Sequence, residues 1–291
     1  MRIANLQGRA TLVSGSTGLD VEGASDGRFS ADPAALWSDW AGFVAWASTV
    51  DVAGHADARP FEESDLLAPV PNPSQVFGIG LNYADHAAES SMEVPENPLV
   101  FTKFPSSLAG SDVTVRLTGD RVDWEAELVV VIGRGGRDIP VDEAWDSVAG
   151  FTVGQDISDR TVQSQGKPPQ FSLGKSFQNY APTGPAVVTI DELRSAGHDP
   201  EALRVRCEIV DEQGGEPRTL QDGTTADLIF PVVQLVARLS AIVELRPGDL
   251  IFTGTPAGVG LGRTPQVFLK PGQRLTTEIE GLGIIRQTFV A

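Results

Sequence analysis

Three carboxylates offer this chain its clearest chemistry. Glu125 and Glu127 stand two apart in Asp123-Trp124-Glu125-Ala126-Glu127-Leu128, and Asp156 follows in Gly154-Gln155-Asp156-Ile157-Ser158. The β-branched run Val129-Val130-Val131-Ile132 favours an extended strand, on which residues two apart project from the same face. Both glutamates then point at one spot, where like charges destabilise each other unless a cation neutralises them. A third acid from a later turn would complete an all-oxygen site suited to Mg²⁺, Mn²⁺ or Ca²⁺. Taken alone, Glu-x-Glu reads more readily as the wet face of an antiparallel strand, so the neighbouring motifs must decide.

Leu81-Asn82-Tyr83-Ala84-Asp85-His86-Ala87-Ala88-Glu89 ends with His86 and Glu89 three apart. On a helical turn that spacing lets the carboxylate meet the imidazole, orienting the ring and raising its basicity, as a general base with its helper requires. After Asp156 come Arg160, Gln163 and Lys175. An Arg fork, an amide donor and a Lys point charge are the local groups an anionic substrate needs. Thr253-Gly254-Thr255-Pro256-Ala257-Gly258-Val259-Gly260 follows a predicted strand, and its glycines would let backbone N–H groups approach an anion closely. It is neither a P-loop nor a dinucleotide fingerprint, since no Gly-Lys-Ser/Thr follows and it opens no helix.

The elements that must position these groups are mostly strands. Short β-like runs at 76–79, 100–103, 113–117, 125–132, 186–190, 203–210, 249–253 and 274–279 are punctuated by Gly and Pro, with no βαβ alternation. Trp37, Trp40, Phe43 and Trp46 recur every three residues and predict a helix over 33–49 with an aromatic core stripe. A second helix is predicted over 230–244. Ala68-Pro69-Val70-Pro71-Asn72-Pro73 reads as an extended linker. The expected fold is therefore α+β and β-rich, with a small N-terminal α+β domain over 1–70 and a catalytic domain over 71–291.

At 291 residues the chain can bury a substantial core. A formal net charge of −17 without any basic stripe argues against nucleic acid and against anionic membranes. The single cysteine, Cys207, lies in an alternating strand and reads as a small buried hydrophobe. The N-terminus carries no apolar run of signal-peptide length, and a cytoplasmic protein is the expectation.

Taken jointly, the motifs resemble the fumarylacetoacetate hydrolase family. The matching pieces are Gly78 to Glu89, Phe101-Thr102-Lys103-Phe104-Pro105-Ser106-Ser107, Glu125 to Gly133, Asp156-Ile157-Ser158, Gly174-Lys175-Ser176-Phe177, Gly184-Pro185, Pro247-Gly248-Asp249 and Thr253 to Val259. The resemblance implies a mixed β-roll catalytic domain, a homodimer, and a divalent metal, Mg²⁺ or alternatively Mn²⁺ or Ca²⁺, on Glu125, Glu127 and Asp156. It implies that His86 with Glu89 activates water and that Lys175, Arg160, Gln163 and Thr255 contact a small anionic keto acid. Two segments depart from the common pattern: Gln155-Asp156 at the third ligand, and Gln178-Asn179-Tyr180 after the Lys175 motif, where Tyr180 is expected to touch substrate. The expected reaction is hydrolysis of a C–C bond in an acylpyruvate or fumarylpyruvate-like 2,4-diketo acid, with Lys175 stabilising the oxyanion. The alternatives are decarboxylation of oxaloacetate-like acids or isomerisation of an unsaturated keto diacid on the same site, and a non-catalytic metal-binding member of the fold.

Overall fold

In the computed structural model, which describes residues 1–89 and 94–291, one large mixed sheet runs through the molecule. Its middle strands are Ala181–Val188, Val148–Gln155, Ala126–Ile132, Leu250–Phe252 and Val76–Gly80 in spatial order. Leu99–Thr102 closes one end of it. At the other end the N-terminal meander Arg2–Leu6, Arg9–Ser14 and Thr17–Asp20 continues the same sheet, with Ile3 opposite Val187. A second sheet of five strands, from Arg218–Thr224 through Arg204–Val210 and Arg274–Ile279 to Gly283–Val290 and Asp112–Arg116, packs across it.

Every residue of Ala126–Ile132 and of Val148–Gln155 is buried, as strands covered on both faces must be. The main core lies between the sheets, where Phe151, Val153, Val205, Cys207, Leu275 and Ile285 meet. Cys207 is fully buried there, which pushes its thiol up to about 12. The β-rich α+β architecture expected from the sequence is the one observed.

The two predicted helices are shorter than their hydrophobic patterns. Over 33–49 the chain forms a 3₁₀ turn, Ala35–Asp39, and then an α-helix, Trp40–Ala47. The reason is Asp39, whose carboxylate accepts from the Gly42 N–H and caps a new helix start. The Trp37 and Trp40 rings stack at 5.1 Å beneath it. The later helix is Val232–Ser240, beginning just after Pro231. No helix among the described residues is long and apolar enough to cross a membrane.

Candidate active site

Antiparallel register assembles the three acids. Ala126 pairs with Gln155 and Glu127 with Gly154, and the Asp156 N–H donates to the Glu125 carbonyl at 2.9 Å. Glu125 and Glu127 flank Ala126 on one face, and Asp156 emerges beside them where its strand ends. One oxygen from each lies within 4.8 Å of the other two, and all three side chains are buried.

The surrounding charges decide what that cluster can hold. Lys175 Nζ donates to Glu125 Oε2 at 2.6 Å and to Asp156 Oδ2 at 2.7 Å. Lys103 Nζ donates to Asp156 Oδ1 at 2.5 Å and to the Lys175 carbonyl. Arg160 reaches Glu125 Oε1 at 2.7 Å and Asp123 Oδ2 at 2.7 Å. Four buried carboxylates thus face three buried cations, leaving one negative charge unmatched.

That surplus falls on Glu127. Burial, then the like charges of Asp156 and Glu125, push its carboxyl well above the usual range, against the Lys175 charge and one hydrogen bond from the Gly254 N–H at 2.8 Å. Burial acts on Glu125 in the same direction, but the Lys175 and Arg160 cations override it and hold the group at about 2. An oxygen-only donor set with one surplus negative charge fits a hard dication such as Mg²⁺ or Mn²⁺. Adding two positive charges would leave the cluster with a net positive charge of one, suited to an anionic substrate.

A cavity of about 630 Å³ opens over the cluster, lined by Glu125, Arg160, Gln163, Lys175, His86 and Glu89 among others. His86 and Glu89 share the short helix Ala84–Glu89, as their spacing predicts. The imidazole Nδ1 faces Glu89 Oε2 at 3.6 Å, longer than a hydrogen bond. Glu89 is anchored by the Gly258 N–H at 3.0 Å. Burial would raise its carboxyl, yet His86, the Gly258 N–H and Arg263 together hold it below the ordinary value. Gln163 Oε1 accepts from Arg160 Nη1 at 2.9 Å, which leaves its amide N–H₂ for a ligand.

Three expectations change. The glycine N–H groups of the Gly-rich turn do not meet a substrate anion, because protein carboxylates already take them. Gly254 binds Glu127, Gly258 binds Glu89, and Gly260 and Leu261 bind Asp123 at 2.7 and 2.9 Å. Gly254 and Gly258 have φ of +100° and +109°, and a Cβ at Gly258 would sit 2.2 Å from the Leu220 carbonyl, so only glycine suits this path. Tyr180 does not line the cavity. It is fully buried, with its hydroxyl against Thr118 Oγ1 at 2.8 Å. Thr255 does line the cavity wall, but its hydroxyl donates to the Ala126 carbonyl and accepts from Gln221, so it shapes the wall without a free donor.

Two residues of the site escaped the sequence reading. Lys103 is fully buried against Asp156, and its only signal is a lysine placed between a strand and a Pro turn. Asp123 ties the Gly-rich turn to the Arg160 guanidinium, and its signal is adjacency to the Glu125 run.

The sequence profile of the fumarylacetoacetate (FAA) hydrolase C-terminal region matches residues 75–290. The human mitochondrial oxaloacetate tautomerase FAHD2A is 42% identical over 236 residues, covering 80% of this chain and 72% of that protein. Among solved structures, a candidate HpcE protein from Mycobacterium smegmatis is 50% identical with a TM-score of 0.91, covering 100% of this chain and 99% of its own. A 5-carboxymethyl-2-hydroxymuconate delta-isomerase from the same organism is 27% identical with a TM-score of 0.74, over 100% and 98% of the two chains. The cytoplasmic expectation is overturned by the human relative, which is named as mitochondrial: an N-terminus without an apolar run does not specify the cytoplasm.

Proposed function

The chain belongs to the fumarylacetoacetate hydrolase family, and on that premise we propose that it interconverts the keto and enol forms of a small 2-oxo diacid of the oxaloacetate type. The observation that carries this is the meeting, at one cavity, of a carboxylate cluster short of one positive charge and a base pair, His86 with Glu89. The name of the human relative supports tautomerisation over C–C hydrolysis. Keto–enol exchange needs only a placed proton and a stabilised oxyanion, both of which this arrangement can supply, whereas hydrolysis also needs a water held in line.

In this reading Glu125, Glu127 and Asp156 hold a divalent cation, Mg²⁺ first, which would polarise the 2-oxo group as a Lewis acid. Arg160 and the Gln163 amide orient the carboxylate next to the 2-oxo group, at the metal end of the substrate. His86 exchanges the C3 proton, with Glu89 turned to its Nδ1 so that Nε2 is the nitrogen available. Lys175 supplies a fixed positive charge to the oxygen that gains negative charge. Ile79, Phe101 and Phe171 wall the cavity with apolar surface that limits water. The protein would act as a homodimer, which light scattering on purified protein checks directly.

The test is the approach of freshly dissolved oxaloacetate to keto–enol equilibrium, followed by enol absorbance with Mg²⁺ and again with chelator. Metal-dependent acceleration over the solvent rate is expected. No acceleration, together with cleavage of an acylpyruvate, would return the hydrolytic reading.

A further inference from the structure

The cations of the cavity are not equivalent. Arg160 and Lys175 are already paired with Asp123, Glu125 and Asp156. Arg263, which also lines the cavity, makes no salt bridge among the described residues. Its guanidinium is held by neutral groups. Nε and Nη2 donate to the Gly258 carbonyl at 3.3 and 3.0 Å, and Nη2 donates to the Leu220 carbonyl at 2.8 Å. The guanidinium carbon lies 5.5 Å from the centre of the Trp124 ring.

Those bonds use three N–H directions and leave both hydrogens of Nη1 without a protein acceptor among the described residues. Glu89, close enough to feel the charge, is bound instead to the Gly258 N–H. A half-buried, rigidly held guanidinium with an unused edge and no salt-bridge partner among the described residues is what recognition of a carboxylate requires, because the ordering cost is met before the ligand arrives.

We infer that Arg263 is the specificity-determining residue for the distal carboxylate of the substrate, so that the site selects 2-oxo diacids over 2-oxo monoacids. This rests on the proposed reading of the cavity as a 2-oxo acid site, with the metal end at Glu125 and the far end at Arg263.

The experiment is calorimetric binding to the Mg²⁺-loaded full chain of matched, non-reacting pairs that differ only in the distal carboxylate: malate with lactate, and 2-hydroxyadipate with 2-hydroxyhexanoate. Wild-type protein should prefer the diacid in at least one pair. Arg263→Gln should shrink that preference by about tenfold or more, the loss expected of one charge-assisted contact, while monoacid affinity stays put. Arg263→Lys should restore part of it. A wild-type protein with no diacid preference, or a preference undiminished in Arg263→Gln, overturns the inference, as does an equal loss for both members of a pair, the mark of a collapsed Gly258 turn. Because binding is read without turnover, failure of oxaloacetate tautomerisation would sink the proposed reaction and leave this result to stand or fall separately.

Discussion

Glu127 is the carboxylate whose charge the protein matches least, and that gives metal binding a proton signature. With its carboxyl pushed well above the usual glutamate range by burial and by Asp156 and Glu125, Glu127 must give up a proton as a dication enters. Calorimetric titration of Mn²⁺ near neutral pH, repeated in buffers of different ionisation enthalpy, should show up to one proton released; Glu127→Gln should weaken the metal and abolish the release. The same shift fixes a pH dependence for metal-free protein. A raised folded value means the native state keeps a proton that the unfolded state loses, so stability falls as pH rises from the ordinary glutamate range toward that raised value. Glu125 works in a different window: held at about 2, it contributes stability above the ordinary value that is lost as pH drops toward 2. Urea denaturation of wild type and Glu127→Gln across pH 5–8, with chelator, should show the downward slope in the first alone. At His86 the prediction concerns rate. His86→Ala should slow tautomerisation by about 10²- to 10⁴-fold, the usual worth of a placed general base, with Mn²⁺ affinity unchanged. Wild-type rates in that variant would remove His86 from the chemistry.

The elements explain why some of this could be read before the fold was known. The Glu125–Glu127 strand announced itself through its β-branched run, and the His86–Glu89 turn through its spacing, because both signals are local. Strand Val148–Gln155, which delivers Asp156, went unread. It is buried along its whole length, so it shows no alternation, and Gly150 and Gly154 interrupt the composition that marks a strand. Those glycines have a packing reason that only the paired structure displays. A Cβ at Gly154 would lie 2.4 Å from Val129 Cγ2 and 2.9 Å from the Phe252 ring, and one at Gly150 would lie 2.3 Å from the Val188 carbonyl. Gly154→Ala should therefore cost about 1–3 kcal/mol, typical of overpacking. Gly150→Ala should cost more, since backbone rather than a side chain must yield. Thermal melts of the two variants check the order; equal, negligible losses would mean the neighbouring strands are looser than their contacts suggest. The Gly-rich turn misled for a related reason. Its sequence shows that N–H groups can converge, but which carboxylates they meet depends on elements more than 120 residues away.

At the scale of the molecule, the Pro-rich stretch near residue 70 suggests a boundary. What composition could not show is that the chain on either side shares one sheet. Arg2–Leu6 pairs with Arg9–Ser14 on one edge and with Ala181–Val188 on the other, and the N-terminal ammonium donates to Thr189 Oγ1 at 2.7 Å. Ala181–Val188 pairs in turn with Val148–Gln155, the strand that ends beside Asp156. Long-range pairing of this kind leaves no mark in local sequence. It has a consequence for the metal site: a chain beginning at residue 71 would expose the edge of Ala181–Val188, including the otherwise buried Val187 and Val188, as a template for association with other copies. We therefore expect residues 71–291 alone to aggregate, or to bind Mn²⁺ more weakly than the full chain, and separately produced residues 1–70 to restore solubility and affinity when mixed in during refolding. A soluble 71–291 fragment with the full chain's melting temperature and Mn²⁺ affinity would instead make the N-terminal segment an independent unit, with the site's geometry held entirely by the strands that follow it.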